Sequence, residues 1–232
     1  ICGYHGWHDW YISSNIEDNK NLNSQLLSGL KPNGVPKDLK GNSLPFIYND
    51  IESLKSIVKD NDGIGVIIME PQRTQEMSIE FLRKVREIAT KIGAVLIFDE
   101  VTSGFRMNNG GIHLTTGVEP DMAIFGKALG NGFPISAVIG KKSIMDSAQT
   151  SFISSTFWTE RIGFTAALKT LEIIENNKIY NNLINYGNQV TNAWENSAKQ
   201  NNINIKVTGI PPLRYFAFDN ENSDVTQTFY TQ

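Results

Sequence analysis

One cysteine, Cys2, stands in 232 residues. No disulfide can close within the chain, and a reducing, cytoplasmic setting is the expectation. Long apolar runs are also missing. None approaches the roughly 20 residues that a membrane helix needs, so no membrane partner is expected. Neither sign of charge dominates: Lys and Arg number 21, Asp and Glu 24, for a formal net charge of -3. That balance excludes a general electrostatic pull toward nucleic acid or an anionic bilayer. An initial methionine is absent as well. The chain opens on "ICGYHGWHDW" and stops at "TQTFYTQ". The expectation is a fragment at both ends, with no signal or transit segment in view. No internal repeat stands out, and no low-complexity tract beyond a general excess of Asn.

What is present is enough apolar material for a core: 40% of the residues are hydrophobic. The length suits one large domain or a domain and a half. Residues 15–49 are polar and rich in Asn, Ser, Gly and Pro, which predicts mostly loop. Asp50 reads as the N-cap of a short helix reaching about Lys59. "IGVIIM" (64–69) is a continuous apolar run bounded by Gly63 and Glu70-Pro71, the pattern of a strand buried on both faces. From Ser78 to Ile92 the apolar residues Phe81, Leu82, Val85, Ile88, Ala89 and Ile92 recur at helical spacing, and Gly93 closes the helix. "AVLIF" (94–98), "MAIF" (122–125) and "ISAVIG" (135–140) read as three further strands. Strand, helix, strand order predicts a layered α/β fold with a mostly parallel sheet. After Glu160 the pattern becomes helical to about Glu175, and again from about Ile179 to Lys199. "INIKV" (203–207) and "RYFAF" (214–218) read as short strands. Residues 1–174 are expected to form one domain, and 175–232 to begin a smaller one.

Ligands of open α/β sheets sit at the carboxyl ends of the strands. The first strand ends in Glu70, the second in Asp99-Glu100 and the third, after Gly126, in Lys127. Any one of these alone is more often a cap or a surface ion pair. Together, each following an apolar run, they point to a site. A lysine amine can form a Schiff base with an aldehyde, which removes its full-time charge. Pyridoxal phosphate needs such a lysine, together with an acid beside its pyridine nitrogen. A cofactor of this kind explains why a lysine is placed where a buried strand stops.

"LIFDEVTSGFRMNNGG" and "GVEPDMAIFGKALGNGFPISAVIG" resemble the class III aminotransferases of the fold-type I pyridoxal phosphate enzymes, nearest to the glutamate-1-semialdehyde 2,1-aminomutase branch. "YHGWHDW" is similar to the same branch, and the resemblance covers about 2–174. It implies a three-layer α/β/α major domain followed by the beginning of a small C-terminal α+β domain. It implies that Lys127 carries the cofactor and moves the proton between substrate and cofactor, and that Asp99 pairs with the pyridine nitrogen. Val101 then packs on one ring face and Tyr4 stacks on the other, with His5 and Gly6 shaping that loop. Thr156 contacts the phosphate of the neighbouring subunit in a homodimer with shared sites. Glu70 matches a strand-end glutamate before proline, with a role near the site. The substrate is a small amino or carbonyl compound.

Tyr4 is equally compatible with an ordinary core aromatic. His5, His8 and Asp9 supply no complete metal-ligand set, and His113 lies far off in sequence, so no metal is expected. "GKALGNG" lacks the glycine and Ser/Thr spacing of a phosphate P-loop. Arg106 reads as structural or as part of a channel rim, and no arginine stands out as the anchor of a substrate carboxylate. The chain departs from the family in two places. The family's phosphate-binding Ser/Gly-Thr loop, which lies upstream of "YHG", is not in this sequence. After Thr156 stands "FWTER", with Phe157, Trp158 and Arg161, where aminomutases carry small residues and a proline. An aminotransferase acting on a sugar or other carbonyl compound therefore stays open beside the aminomutase, as does a non-catalytic remnant of the fold.

Overall fold

The structure is a computed structural model that describes residues 5–6, 8–23, 30–73, 75–219, 226 and 228. Helix α1 (His8–Ser13) leads into a long loop. The loop is polar, as its composition predicts, yet it has a small core of its own, in which Tyr11, Ile12, Leu22 and Val35 are buried together. Asn15 pins it from inside. Its side-chain amide donates to the Leu30 carbonyl at 2.7 Å, and its oxygen accepts from the Leu22 amide at 3.1 Å. Helix α2 (Ile51–Asp60) begins where Asp50 accepts from the amides of Glu52 and Ser53. This cap satisfies donors that the helix itself cannot pair.

Strand β1 (Val66–Met69), helix α3 (Ile79–Ile92), strand β2 (Val95–Asp99), strand β3 (Met122–Phe125) and strand β4 (Ala137–Gly140) build the main sheet. Its order is β1-β2-β3-β4. Strands β1, β2 and β3 run parallel, and β4 runs antiparallel to β3 with Phe125 opposite Ala137. The turn from β3 to β4 holds no crossover helix, and a short connection can only return the chain antiparallel. Ser78 caps α3 by accepting from the Phe81 amide, and Gly93, in the left-handed region at φ 73°, ends it. The predicted apolar stripe of α3 lies against the sheet: Phe81, Leu82, Val85 and Ala89 pack in one core with Ile67, Met69, Leu96 and Phe98.

The expectation of strands buried on both faces holds for one face only. Ile67, Met69, Leu96, Phe98, Ala123 and Phe125 are buried, whereas Ile68, Ile97, Met122 and Ile124 on the other face are partly exposed and Val66 is 51% exposed. β4 is partly or fully exposed along its length. Among the described residues no element covers that second face fully, so an unbroken apolar run does not by itself establish two covered faces.

Short helix α4 (Lys142–Met145) precedes α5 (Arg161–Asn177) and α6 (Ile179–Gln200). Glu160 caps α5 by accepting from the amides of Ile162 and Gly163. β5 (Ile205–Thr208) and β6 (Tyr215–Phe218) pair antiparallel in a second, separate sheet. Helix α6 approaches the turn between them so closely that a Cβ on Gly187 would meet the Pro211 carbonyl oxygen at 1.9 Å. Among the described residues no helix is long and apolar enough to cross a membrane.

Candidate active site

Because β1, β2 and β3 are parallel neighbours, their carboxyl ends share one edge. Glu70 follows β1, Asp99 is the last residue of β2, and Lys127 follows β3 after Gly126. The juxtaposition expected from the sequence is therefore met by the sheet order.

Asp99 is buried, and both of its carboxylate oxygens are engaged. Oδ2 lies 2.8 Å from His5 Nδ1, and Oδ1 accepts from the Val101 amide at 3.0 Å. His5, expected among the cofactor-binding residues, thus brings the N-terminal segment onto the strand ends through Asp99. Val101 stands between the ends of β2 and β3: its Cγ1 would be 3.5 Å from a Cβ placed on Gly126.

Lys127 is exposed, and its backbone takes a positive φ of 45°. Its Nζ donates to the Thr102 hydroxyl oxygen at 2.8 Å. The charge that raised the question of its placement is therefore partly solvated, and its partner is a neutral hydroxyl. Arg106 fixes this turn by donating from Nε to the Thr102 carbonyl at 2.7 Å. Burial draws its guanidinium below the usual range.

Glu70 is buried beside these groups. Its Oε1 pairs with Arg73 Nη1 at 2.9 Å, and its Oε2 has no hydrogen-bond partner. Burial raises its carboxyl above the ordinary value, Arg73 opposes that, the nearby Asp99 charge raises it further and His5 lowers it. The mixture of a buried acid, a second acid and an imidazole is the kind of environment found at reactive sites.

Glu100 belongs elsewhere. It is fully buried and accepts from Ser103 Oγ at 2.5 Å and from the amides of Ile112 and His113 at 3.0 Å, and its Oε1 lies 2.7 Å from His113 Nδ1. It ties the loop after β2 together rather than facing the edge. Thr156 lies exposed in the turn before α5, and its side chain makes no hydrogen bond among the described residues. Tyr4 lies outside the described residues, and Gly6 is exposed with φ 81°. Among the described residues no group of three or more His, Cys, Asp and Glu is placed to hold a metal ion. Thr102 and Arg73, the partners of Lys127 and Glu70, carry no motif of their own in the sequence. Their only signal was position, each three residues after a strand-end acid.

A groove of about 780 Å³ lies at the opposite edge, lined by Arg86, Thr90, Asp121 and Lys141 among others. Asp121 closes a structural latch there, accepting from Arg86 and Lys141 at 2.7 Å and from the Leu96 amide at 2.8 Å. Burial raises its carboxyl, but the hydrogen bonds from Lys141, Leu96 and Arg86 outweigh that and hold it at about 2.

Comparison with known proteins places the chain in a family. Residues 4–224 match the family model described as aminotransferase class-III. The chain is 33% identical over 238 residues to the 3-aminobutyryl-CoA aminotransferase of Cloacimonas acidaminovorans, covering 99% of this chain and 53% of that protein. It is 32% identical over 233 residues to a glutamate-1-semialdehyde 2,1-aminomutase of Methanococcus maripaludis, covering 96% of this chain and 52% of that one. Among solved structures it resembles the PLP internal aldimine form of the Sphingopyxis sp. MTA144 FumI protein, with a TM-score of 0.76, 29% identity, and 81% of this chain and 47% of that chain covered. An omega-transaminase from Sphaerobacter thermophilus gives a TM-score of 0.77 at 26% identity, over 92% of this chain and 51% of that one. The chain spans about half the length of the relatives it matches. The α/β class and the mostly parallel sheet predicted from the sequence stand. The matched span takes in the strand-end acids and the lysine alike, and the chain belongs to the class III aminotransferase family.

Proposed function

We propose that the complete protein transfers an amino group with pyridoxal phosphate bound at the edge formed by Glu70, Asp99 and Lys127. The observation that carries this is the pairing of a buried, doubly hydrogen-bonded Asp99 with an exposed Lys127 on adjacent parallel strands. The residues suit the group. Lys127 has a neutral hydroxyl for its partner, which leaves its amine available to an aldehyde. Asp99 is buried and already oriented, as a partner for a protonated ring nitrogen must be. When bound, pyridoxal phosphate supplies an electron-withdrawing ring that eases loss of a proton from the carbon bearing the amine.

The chain's own residues do the rest. Lys127 anchors the cofactor and moves the proton to and from carbon. Asp99 would accept a hydrogen bond from the ring nitrogen. His5 holds Asp99 Oδ2 in place, and the Val101 amide holds Oδ1. Val101 would pack on one ring face, and Tyr4, which lies outside the described residues, is the residue proposed for the other. Glu70 bounds the site on the β1 side, with its charge balanced by Arg73.

The reaction proposed is aminomutase-like, in which the amine returns to the neighbouring carbon of one molecule. The alternative is an aminotransferase passing the amine to a sugar or other carbonyl compound, favoured by the bulk of Phe157 and Trp158 after Thr156. The protein is proposed to be cytoplasmic and homodimeric, with Thr156 reaching the phosphate held by the other subunit. The exposed side chains of Phe152, Phe157 and Trp158 beside Thr156 support an interface there. Residues 175–232 are proposed to begin a second domain, in keeping with the separate β5-β6 sheet.

Borohydride reduction of the full-length protein loaded with the cofactor, followed by peptide mass mapping, tests the assignment. The pyridoxyl group is expected on Lys127. Label on another lysine refutes it.

A further inference from the structure

We propose that Thr102 is a positioning residue that holds the Lys127 amine in place in both its charged and its neutral form. The inference rests on the functional reading above and goes beyond it. Nothing in the family match assigns Thr102 a role.

The geometry is specific. Thr102 Oγ1 accepts from Lys127 Nζ at 2.8 Å. The hydroxyl cannot drift, because the turn that carries it is tied at several points. Arg106 Nε donates to the Thr102 carbonyl at 2.7 Å, the Val101 amide donates to Asp99 at 3.0 Å, and the Gly104 amide donates to the Glu100 carbonyl at 2.8 Å. Lys127 is constrained from its own side as well, with its backbone at φ 45° and the amides of Gly130 and Asn131 donating to its carbonyl. Its long side chain is otherwise exposed, and no carboxylate pairs with it among the described residues. Without the hydroxyl the amine would be free to spread over many rotamers.

The chemistry of the partner matters as much as its position. A lysine that attacks an aldehyde must first lose a proton. Its nitrogen then forms a double bond to the aldehyde carbon, and the aldehyde oxygen leaves as water. A carboxylate partner accepts hydrogen bonds only, so it would hold the ammonium and resist that loss. A hydroxyl both accepts and donates. It can accept from the ammonium, then turn and donate to the neutral amine, without moving its oxygen. Thr102 therefore keeps Nζ at one place while its protonation changes. Asp99, three residues earlier, is engaged by His5 and the Val101 amide instead.

The test compares Thr102→Val, Thr102→Ser and Thr102→Asp in the full chain, freed of cofactor. The first readout is the rate at which added pyridoxal phosphate is captured, with borohydride and peptide mapping to locate it. The second is labelling of Lys127 by acetic anhydride at neutral pH, in the absence of cofactor. Thr102→Val loses the hydroxyl that holds the neutral amine at one place and is expected to slow capture about tenfold. Thr102→Ser keeps the hydroxyl and is expected within about twofold of the unaltered protein. Thr102→Asp is expected to lower labelling of Lys127 about tenfold, because the added charge holds the ammonium. Capture by Thr102→Val at the normal rate, or Thr102→Ser no better than Thr102→Val, overturns the inference alone. Failure of the unaltered protein to take the cofactor on Lys127 overturns the functional reading and this inference with it.

Discussion

Removal of the Arg73 guanidinium puts the electrostatics of the site under direct test. Glu70 is buried with one oxygen on Arg73 and the other without a partner, so Arg73→Ala leaves a buried carboxylate uncompensated. Breaking a fully buried ion pair on one side costs about 3–5 kcal/mol. The Arg73 side chain is 29% exposed, so water already shares its charge. The expected loss at neutral pH is therefore smaller, about 2 kcal/mol. Its pH dependence follows from the direction of the Glu70 shift. Burial, opposed in part by Arg73, sets the folded-state value above the ordinary 4.5. A raised folded value means that the folded protein binds the proton more tightly. The resulting stability is present below 4.5 and is lost as pH rises through the folded value. Arg73→Ala removes the main opposing charge and raises that value further, so its penalty is expected to grow as pH rises through the unaltered protein's folded value. Adding Glu70→Gln removes the stranded charge and is expected to return most of the loss. Urea unfolding of the four proteins of this cycle across pH 4.5 to 8 gives both quantities. A penalty that is flat with pH, or one that Glu70→Gln leaves intact, would refute the account.

Asp99→Asn is expected to retain some cofactor and lose most turnover, since an amide cannot keep a ring nitrogen protonated; near-normal activity would contradict the role given to Asp99. At the opposite edge, Asp121 has a folded value lowered to about 2 from 3.8. Its contribution is full above 3.8 and lost as pH falls through 2, so Asp121→Asn is expected to cost about 1–2 kcal/mol at neutral pH and progressively less in acid, as read by urea unfolding. Gly187→Ala would set a Cβ 1.9 Å from the Pro211 carbonyl oxygen, forcing backbone to move; a loss of about 2 kcal/mol is expected in thermal unfolding. Mixing Lys127→Ala subunits with Thr156→Ala subunits should partly restore activity, because one site of the mixed dimer inherits both defects and the other neither. No recovery despite proven exchange would place Thr156 outside the shared site.

The parts of this fold legible in the sequence are those governed by near neighbours. Asp50 and Ser78 cap helices because the donors that they satisfy lie two or three residues away. Gly93 ends α3 because its own backbone takes φ 73°. The stripe of α3 and the apolar runs of the strands are periodic signals of the same local kind. Coverage of the second sheet face is not local. Val66 has the composition of a buried strand residue, yet nothing described packs over it, and no pattern within its own strand could have said so.

The site divides in the same way, and the division explains what was missed. Glu70, Asp99 and Lys127 could be named because each closes an apolar run, and the parallel order of β1, β2 and β3 then brings them to one edge. Their partners could not be named from spacing, because partnership is decided by register. His5 meets Asp99 across 94 residues and Thr102 meets Lys127 across 25, distances fixed only when the strands align Asp99 with Ile124. The same register separates two adjacent acids that look alike in sequence. Asp99 turns to the edge with His5, whereas Glu100 turns inward to four donors of the 103–113 loop and is spent on structure. One acid at this strand end is thus left for the role proposed for it, because its neighbour fixes the turn that carries Val101 and Thr102.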